Sequence, residues 1–288
     1  MKIALIVNPI SGQGKSIKHL ERIKNNFTEK GCKLFIYKTK QIGDGEKAAL
    51  EVDRFSPDAV IAVGGDGTVS AVASGLIGKD IPMGIIPCGT VNVLALELGI
   101  PKNIEEAVDI ILKKKTKLID VGRINKKIFL LMAGIGFDGH VISEVKQEVK
   151  NLIKDLAYVL AGLKALLSYH PVEMEVVIDK KIFKESYFTI VGNARYYAGK
   201  YSIVKDAEID DGLLDVCIFK KKSISNFVKF IGQVIADKAG NIDDVEYFKA
   251  KEVEIRTPSI FVQSDGDLAG KTPVKISIEP KSLKVIVP

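Results

Sequence analysis

The chain has no tryptophan, three cysteines, three histidines and an aromatic fraction of only 7%. Cys32, Cys88 and Cys217 stand alone with no paired spacing, so neither a disulfide framework nor a cysteine-based zinc site is expected. His19, His140 and His170 are scattered, which also argues against a zinc enzyme. Free, isolated cysteines fit a reducing compartment. No run approaches the roughly 20 apolar residues that cross a bilayer. There is no arginine-rich arm and the lysines are spread, so no nucleic-acid partner is expected. The opening Met1-Lys2-Ile3-Ala4-Leu5-Ile6-Val7 runs straight into a strand-like segment without a signal-peptide pattern, and the expected location is the cytoplasm.

What is present is a soluble-globular composition, 47% apolar and 27% charged over 288 residues, enough for one large domain or two. A formal charge of +6 suits anionic phosphates or an anionic membrane surface equally. The most informative stretch is Asp58-Ala59-Val60-Ile61-Ala62-Val63-Gly64-Gly65-Asp66-Gly67-Thr68. Its apolar, β-branched start reads as a strand buried on both faces. The glycines then let the backbone come close to a ligand, and Val69-Ser70-Ala71-Val72-Ala73 resumes as a helical turn. Strand, glycine-rich loop and helix start can hold a phosphate on free N–H groups and the helix N-terminus. A carboxylate in that loop is out of place unless it offsets a cation, so Asp66 suggests a metal riding on the phosphates. The plain alternative is a tight turn closed by an Asx bond.

The first half alternates strands and helices. Strands are expected at 2–8, 33–37, 58–63 and 82–87, and helices at 15–30, 45–54, 91–98 and 104–114, the last capped by Asn103. This pattern argues for a parallel, doubly wound sheet, whose ligands sit outside the carboxyl ends of the strands at a switch point. Three glycine-bearing turns, at 11–14, 64–67 and 88–90, all follow strands and are expected along one rim. The first is not a Walker loop, because the four-residue gap before Gly-Lys-Ser/Thr is missing. Nor does a Gly-x-Gly-x-x-Gly follow the first strand, which disfavours a dinucleotide site.

Beyond residue 125 the texture changes. A strand is expected at 128–133, broken by Gly134-Ile135-Gly136-Phe137-Asp138-Gly139. A helix follows at 137–168, apolar nearly all round at 152–167. That portion reads as a buried helix, or as the wall of an acyl-chain pocket or a bilayer contact. Strands are expected at 173–178, 182–193, 213–219, 246–256, 259–264, 273–278 and 283–287, with one helix at 224–238. Alternating patterns and the turn pairs Asp179-Lys180, Asp211-Gly212 and Asp265-Gly266 indicate antiparallel sheet. The expected fold class is therefore α/β: an N-terminal doubly wound parallel-sheet domain at 1–125, then a mostly antiparallel β-sandwich domain at 126–288 whose last strand may return to the first.

These segments resemble the lipid-kinase family built on the diacylglycerol kinase catalytic domain, in its soluble bacterial form, a family related to sphingosine kinases and NAD kinases. The residues carrying the likeness are Asn8-Pro9-x-Ser11-Gly12, Gly64-Gly65-Asp66-Gly67-Thr68, Pro87-x-Gly89-Thr90-x-Asn92, Asp120-Val121-Gly122, Asp210-Asp211-Gly212-Leu213-Leu214-Asp215 and Asp265-Gly266-Asp267. They occur in family order and span the chain.

The resemblance implies ATP-dependent phosphorylation of a lipid hydroxyl at a cleft between two domains, with ATP and Mg2+ as cofactors. ATP contacts carry over to Asn8, Ser11, Gly12, Thr39, Gly64, Gly65, Asp66, Gly67, Thr68, Ser70, Thr90 and Asn92. Asp66 would hold the catalytic magnesium through water. The family's general base ends an Asp-Gly-Glu motif, which here reads Asp265-Gly266-Asp267; Asp267 takes the base position one methylene short, and Asp265 is its rival. A structural magnesium corresponds to Asp211 with the carbonyls of Glu208 and Leu213. Asp120 is expected to support the catalytic site. After the Gly-Thr turn the chain has Asn92-Val93-Leu94-Ala95, nearer sphingosine-type members than the Asn-Asp-Phe of diacylglycerol kinases. The expected partner is a lipid acceptor at the inner face of a membrane, with peripheral contact, and a homodimer is left open. Two other readings are an NAD kinase-like enzyme with a soluble substrate and a catalytically weak nucleotide-binding regulator.

Overall fold

The computed structural model describes residues 1–144, 170–197, 199, 201–220, 222, 229, 232–234 and 244–288. The apolar segment expected at 152–167 and most of the helix expected at 224–238 lie outside these residues. The chain separates into two compact units: one contains Met1–Val121 and Pro280–Pro288, the other Gly122–Tyr197 and Tyr201–Glu279.

In the first unit the chain runs β1 (Lys2–Val7), α1 (Ser11–Glu29), β2 (Lys33–Lys38), α2 (Asp44–Leu50), a 3₁₀ turn (Val52–Phe55), β3 (Ala59–Gly64), α3 (Asp66–Leu76), β4 (Met83–Pro87), α4 (Val93–Glu97) and α5 (Ile104–Lys113). The strands are parallel in the order β2-β1-β3-β4, with Leu5 opposite both Ile36 and Ile61. Every residue of β3 and β4 is buried, as a sheet covered on both faces requires. Helix α1 packs against α5, and α2 against α3. Asn103 caps α5 as expected, its side chain accepting from the Glu106 N–H at 3.1 Å. The chain leaves β1 to one side for β2 and returns on the other for β3, so the topological switch point lies between β1 and β3.

The second unit is largely antiparallel. Its elements are β5 (Thr116–Ile124, which begins in the first unit), β6 (Lys127–Phe129), β7 (Met132–Ile135), α6 (Phe137–Glu144), β8 (Met174–Ile178), β9 (Lys181–Ser186), β10 (Phe188–Gly192), β11 (Tyr196–Tyr197), β12 (Tyr201–Ser202), β13 (Leu214–Phe219), β14 (Val245–Ala250), β15 (Glu252–Ile255), β16 (Phe261–Ser264), β17 (Asp267–Lys271) and β18 (Val274–Ile286). One sheet runs β14-β13-β10-β7-β16-β17; in the other, β15 pairs with both β18 and β8. Strand alternation divides the side chains of β13 between two cores. Leu214, Val216 and Ile218 join Val176, Val253, Val262 and Ile276 in one, and Cys217 and Phe219 join Met132, Phe188 and Ile190 in the other.

Several single strands expected from sequence are two. The segment 128–133 splits into β6 and β7, 182–193 into β9 and β10, and 246–256 into β14 and β15, each pair divided between the two sheets. The alternation slips by one residue at the last two joints, where Lys184 and Glu185 are both exposed, as are Lys251 and Glu252. Conversely, the strands expected at 273–278 and 283–287 form one strand, β18, with Lys281 in a left-handed conformation (φ 50°). The segment after Gly266, expected as loop, is the edge strand β17.

Candidate active site

The carboxyl ends of β1, β3 and β4 lie side by side because those strands are neighbours. After β1, Ser11 opens α1, but Gly12, Gln13 and Gly14 all have left-handed backbones (φ 60°, 59° and 83°). Gly12 is pressed on the turn after β4: a Cβ there would lie 1.8 Å from the Cys88 carbonyl oxygen, so no other residue fits without moving one turn. After β3, helix α3 starts at Asp66 rather than three residues later, with Gly65 as N-cap. Asp66 is thus in a helical first turn, where a carboxylate meets the positive end of the dipole.

Side-chain bonds stitch the three turns together. The Ser11 hydroxyl is 3.3 Å from the Thr68 hydroxyl and accepts from the Gly65 N–H at 3.4 Å. Asp66 reaches the third turn: its Oδ2 accepts from the Asn92 N–H at 3.0 Å and its Oδ1 from the Val93 N–H at 2.6 Å, where α4 begins. Asn92, left-handed at φ 61°, closes the same turn, accepting from the Gly89 N–H (3.1 Å) and donating to the Gly89 carbonyl (3.0 Å). Gly65 and Gly89 touch backbone to backbone; a Cβ on Gly89 would lie 2.5 Å from the Gly65 Cα. Burial pushes the Asp66 carboxyl above the usual range, opposed by the N–H groups of Val93 and Asn92. Of the remaining expected contacts, Asn8 donates its N–H to the Val63 carbonyl at the end of β3, and Thr39 donates its own to Val7 at the end of β1. Gly64 and Gly67 flank Asp66, Ser70 sits in the second turn of α3, and Thr90 is exposed at the tip of the third turn. Contacts across the three turns join Ser11, Gly12, Gly65, Asp66, Thr68 and Asn92, and the rest of the expected nucleotide set also lies in the first unit.

In the second unit Asp265 and Gly266 form a two-residue hairpin between β16 and β17, both with positive φ (47° and 83°), and Ser264 pairs with Asp267 across it. The two candidate bases now separate. Asp265 turns inward: its Oδ2 accepts from the Leu130 N–H (2.7 Å) and its Oδ1 from the Leu131 and Met132 N–H groups (2.9 and 3.1 Å). Both oxygens are engaged by backbone N–H groups where β6 gives way to β7. Asp267 is exposed at the start of the edge strand. Asp120 belongs to the first unit. It is fully buried in β5, and its Oδ1 accepts from the Lys281 N–H at 2.7 Å, holding the left-handed point of β18.

The donor set expected for a structural magnesium does not fit a divalent cation. Asp211 Oδ1 accepts from the Leu213 N–H at 3.0 Å, and the Glu208 carbonyl accepts from the Asp211 N–H. The Lys249 ammonium lies 2.8 Å from Asp211 Oδ2 and 3.3 Å from Asp215 Oδ2, and donates to the Asp206 carbonyl. Desolvation works against the charge on Lys249, but its bonds to Asp211 and Asp215 outweigh it and hold its pKa above the usual lysine value. The lysine supplies the positive charge. Among the described residues no group of three or more His, Cys, Asp or Glu side chains is arranged to hold a metal.

The same order of turns and domains recurs in known proteins. The Diacylglycerol kinase catalytic domain profile matches residues 2–124, and that of the YegS C-terminal NAD kinase beta sandwich-like domain matches 132–287. The chain belongs to the diacylglycerol kinase catalytic-domain family. A protein of Bacillus subtilis named diacylglycerol kinase is 30% identical over 289 residues, covering 99% of this chain and 95% of the relative. Another of that name from Mycobacterium tuberculosis is 31% identical over 295 residues, covering 100% and 95%. A solved structure described as a diacylglycerol kinase from Bacillus anthracis superposes with a TM-score of 0.81 at 30% identity, covering 100% of this chain and 97% of that one. The family's α/β domain followed by a β-sandwich agrees with the fold described above. Among the described residues no helix is long and apolar enough to cross a membrane.

Sequence reading passed over Lys249, Gln263 and Asp138. Gln263 carried a usable signal, a long amide at an inward position of β16 between Val262 and Ser264, and it is fully buried. Lys249 sits on an alternating strand where lysine is unremarkable, and nothing local marks it.

Proposed function

We propose that this chain is an ATP- and magnesium-dependent lipid kinase, transferring the γ-phosphoryl group of ATP to the hydroxyl of a diacylglycerol-like or sphingoid acceptor. The observation that carries the reading is the rim of the first unit, where three backbone turns at the ends of neighbouring parallel strands are tied by Asp66, Ser11 and Asn92. Glycine-lined turns, hydroxyls and a helix start are what a triphosphate needs from a protein. Nucleotide binding is assigned to 1–125 and acceptor binding to 126–288.

Asp66 fits a hydrated magnesium: each carboxylate oxygen keeps lone pairs beyond its one backbone bond, and a cation that retains water needs few protein ligands. Bound there with the phosphates, magnesium would neutralise charge on the transferring group. The chain's own groups do the rest. The Gly12–Gly14 and Gly65–Thr68 backbone holds the phosphates, Asp66 fixes the Gly89–Val93 turn beside them, and Asp267 accepts the proton of the acceptor hydroxyl. Asp265 and Asp120 hold backbone and take no part in proton transfer. The acceptor is met at a membrane surface that the protein touches without spanning.

The test is phosphate transfer from labelled ATP to a panel of lipids in mixed micelles, with magnesium and with chelator. Lipid product that requires magnesium is expected, falling by about 10²-fold or more in Asp66→Ala and Asp267→Ala, the size typical for a lost electrostatic or acid–base group. ATP binding with no labelled lipid from any acceptor would refute the kinase reading and favour a nucleotide-binding regulator.

A further inference from the structure

The segment Gly134-Ile135-Gly136-Phe137-Asp138-Gly139 belongs to the second unit, and its backbone is built to a tight tolerance. A Cβ on Gly134 would lie 2.2 Å from Asp138 Oδ2, and one on Gly139 would lie 2.3 Å from the Phe261 carbonyl oxygen. The missing side chains let the first turn of α6 lie directly on β16, where the Gly136 N–H also donates to the Phe261 carbonyl at 3.1 Å. What that closeness achieves is a contact between Asp138 and Gln263. The Gln263 Nε2 donates to Asp138 Oδ2 at 2.5 Å, and its Oε1 accepts from the Gly266 N–H at 2.9 Å.

We infer that Asp138 and Gln263 are positioning residues for Asp267, forming a relay that sets the hairpin turn on which Asp267 stands. An ionised carboxylate only accepts and a backbone N–H only donates, so the Gln263 amide has one orientation that satisfies both neighbours. Fully buried, it has no water to turn toward. Asp265 anchors the same turn from the preceding position through Leu130, Leu131 and Met132. The two central residues of the hairpin are therefore held by separate devices, one on β6–β7 and one on α6. Asp267 follows immediately, and its direction depends on the backbone of Gly266, whose φ of 83° has little steric restraint of its own.

This inference rests on the lipid-kinase reading for its catalytic consequence but not for its geometry, and the tests keep the two apart. Gln263→Met keeps the length of the side chain and removes both bonds. It is expected to lower kcat for lipid phosphorylation about tenfold or more while the KM for ATP stays within about twofold, since a displacement near 1 Å is enough for such a loss. The double variant Asp138→Asn/Gln263→Glu rebuilds both contacts, exchanging donor and acceptor between positions 138 and 263: the new amide donates to the new carboxylate, which still accepts from Gly266. Its kcat is expected to return to within about threefold of wild type, a recovery that mere loss of packing would not produce. Wild-type kcat in Gln263→Met, or a double variant no faster than Gln263→Met at equal melting temperature, overturns the relay. Independently of turnover, the Gly266 amide is expected to lose protection against hydrogen exchange in Gln263→Met and regain it in the double variant; unchanged exchange in Gln263→Met also overturns it. Absence of lipid phosphorylation in the wild-type protein refutes the kinase reading instead, and the exchange measurement still decides the relay.

Discussion

Replacing Asp265 and Asp267 in turn tests the proposal that the first holds the fold and the second serves chemistry. Asp265→Asn keeps one oxygen and turns the other into a donor. If the oxygen stays on the Leu131 and Met132 N–H groups, the new amide faces the Leu130 N–H, donor against donor. Leu130 is 2% exposed, so water cannot make up the lost bond. A buried donor without a partner costs about 1–3 kcal/mol, and losing the charge from the two remaining bonds adds about 1 kcal/mol. The expected cost is about 2–4 kcal/mol, reduced by a few tenths because asparagine tolerates the left-handed backbone at φ 47°. At about 2–4 °C per kcal/mol for a unit of this size, the melting temperature of Asp265→Asn falls by roughly 5–15 °C. Asp267→Asn, on an exposed edge position, stays within about 0.5 kcal/mol of wild type. Its lipid-kinase kcat falls by about 10²–10⁴-fold, the range for a lost general base. Thermal melts and initial-rate kinetics on the two variants are the assay. A stable but inactive Asp265→Asn beside an active Asp267→Asn would reverse the assignment.

Further outcomes are expected elsewhere. Gly12→Ala places a Cβ 1.8 Å from the Cys88 carbonyl at φ 60°, costing about 1–2 kcal/mol in backbone strain before the clash is relieved; nucleotide titration should show weakened ATP binding, and wild-type affinity would refute contact between the turns. Lys249→Met leaves Asp211 and Asp215 facing one another without a cation, so it should lower the melting temperature, and added magnesium should raise that of the variant more than that of wild type. An equal magnesium response in both would contradict the lysine-filled reading. Burial pushes the Cys88 thiol up to about 11, so only about 0.1% is thiolate at pH 8; alkylation of native protein followed by mass spectrometry should leave Cys88 unmodified, with labelling appearing on unfolding. Since a raised thiol pKa means the thiolate forms later, the reaction should speed up as pH climbs toward 11. Rapid labelling at pH 8 would show that the Gly12–Cys88 contact opens in solution.

The rim of three turns was readable because its determinants are local. A run of Val and Ile ending in Gly64-Gly65-Asp66-Gly67 states strand, tight turn and helix within a dozen residues, and parallel order follows from the lengths between such runs. Asn103 as a cap was legible for the same reason. The second unit was harder, since β9 and β10, or β14 and β15, follow one another without an intervening loop while belonging to different sheets.

By itself, then, the amino-acid sequence determined the elements of the first unit, the glycine positions that let three turns converge, and the family likeness they carry. Tertiary structure alone decided which groups each carboxylate meets. The partners of Asp66, Asp265 and Asp120 lie 26, 135 and 161 residues away, and no pattern read along the chain encodes such a meeting. The same Asp-Gly spelling supports a catalytic acid, a metal ligand or a backbone clasp, and the choice falls to whichever N–H groups or ammonium the folded chain brings within about 3 Å of the oxygens.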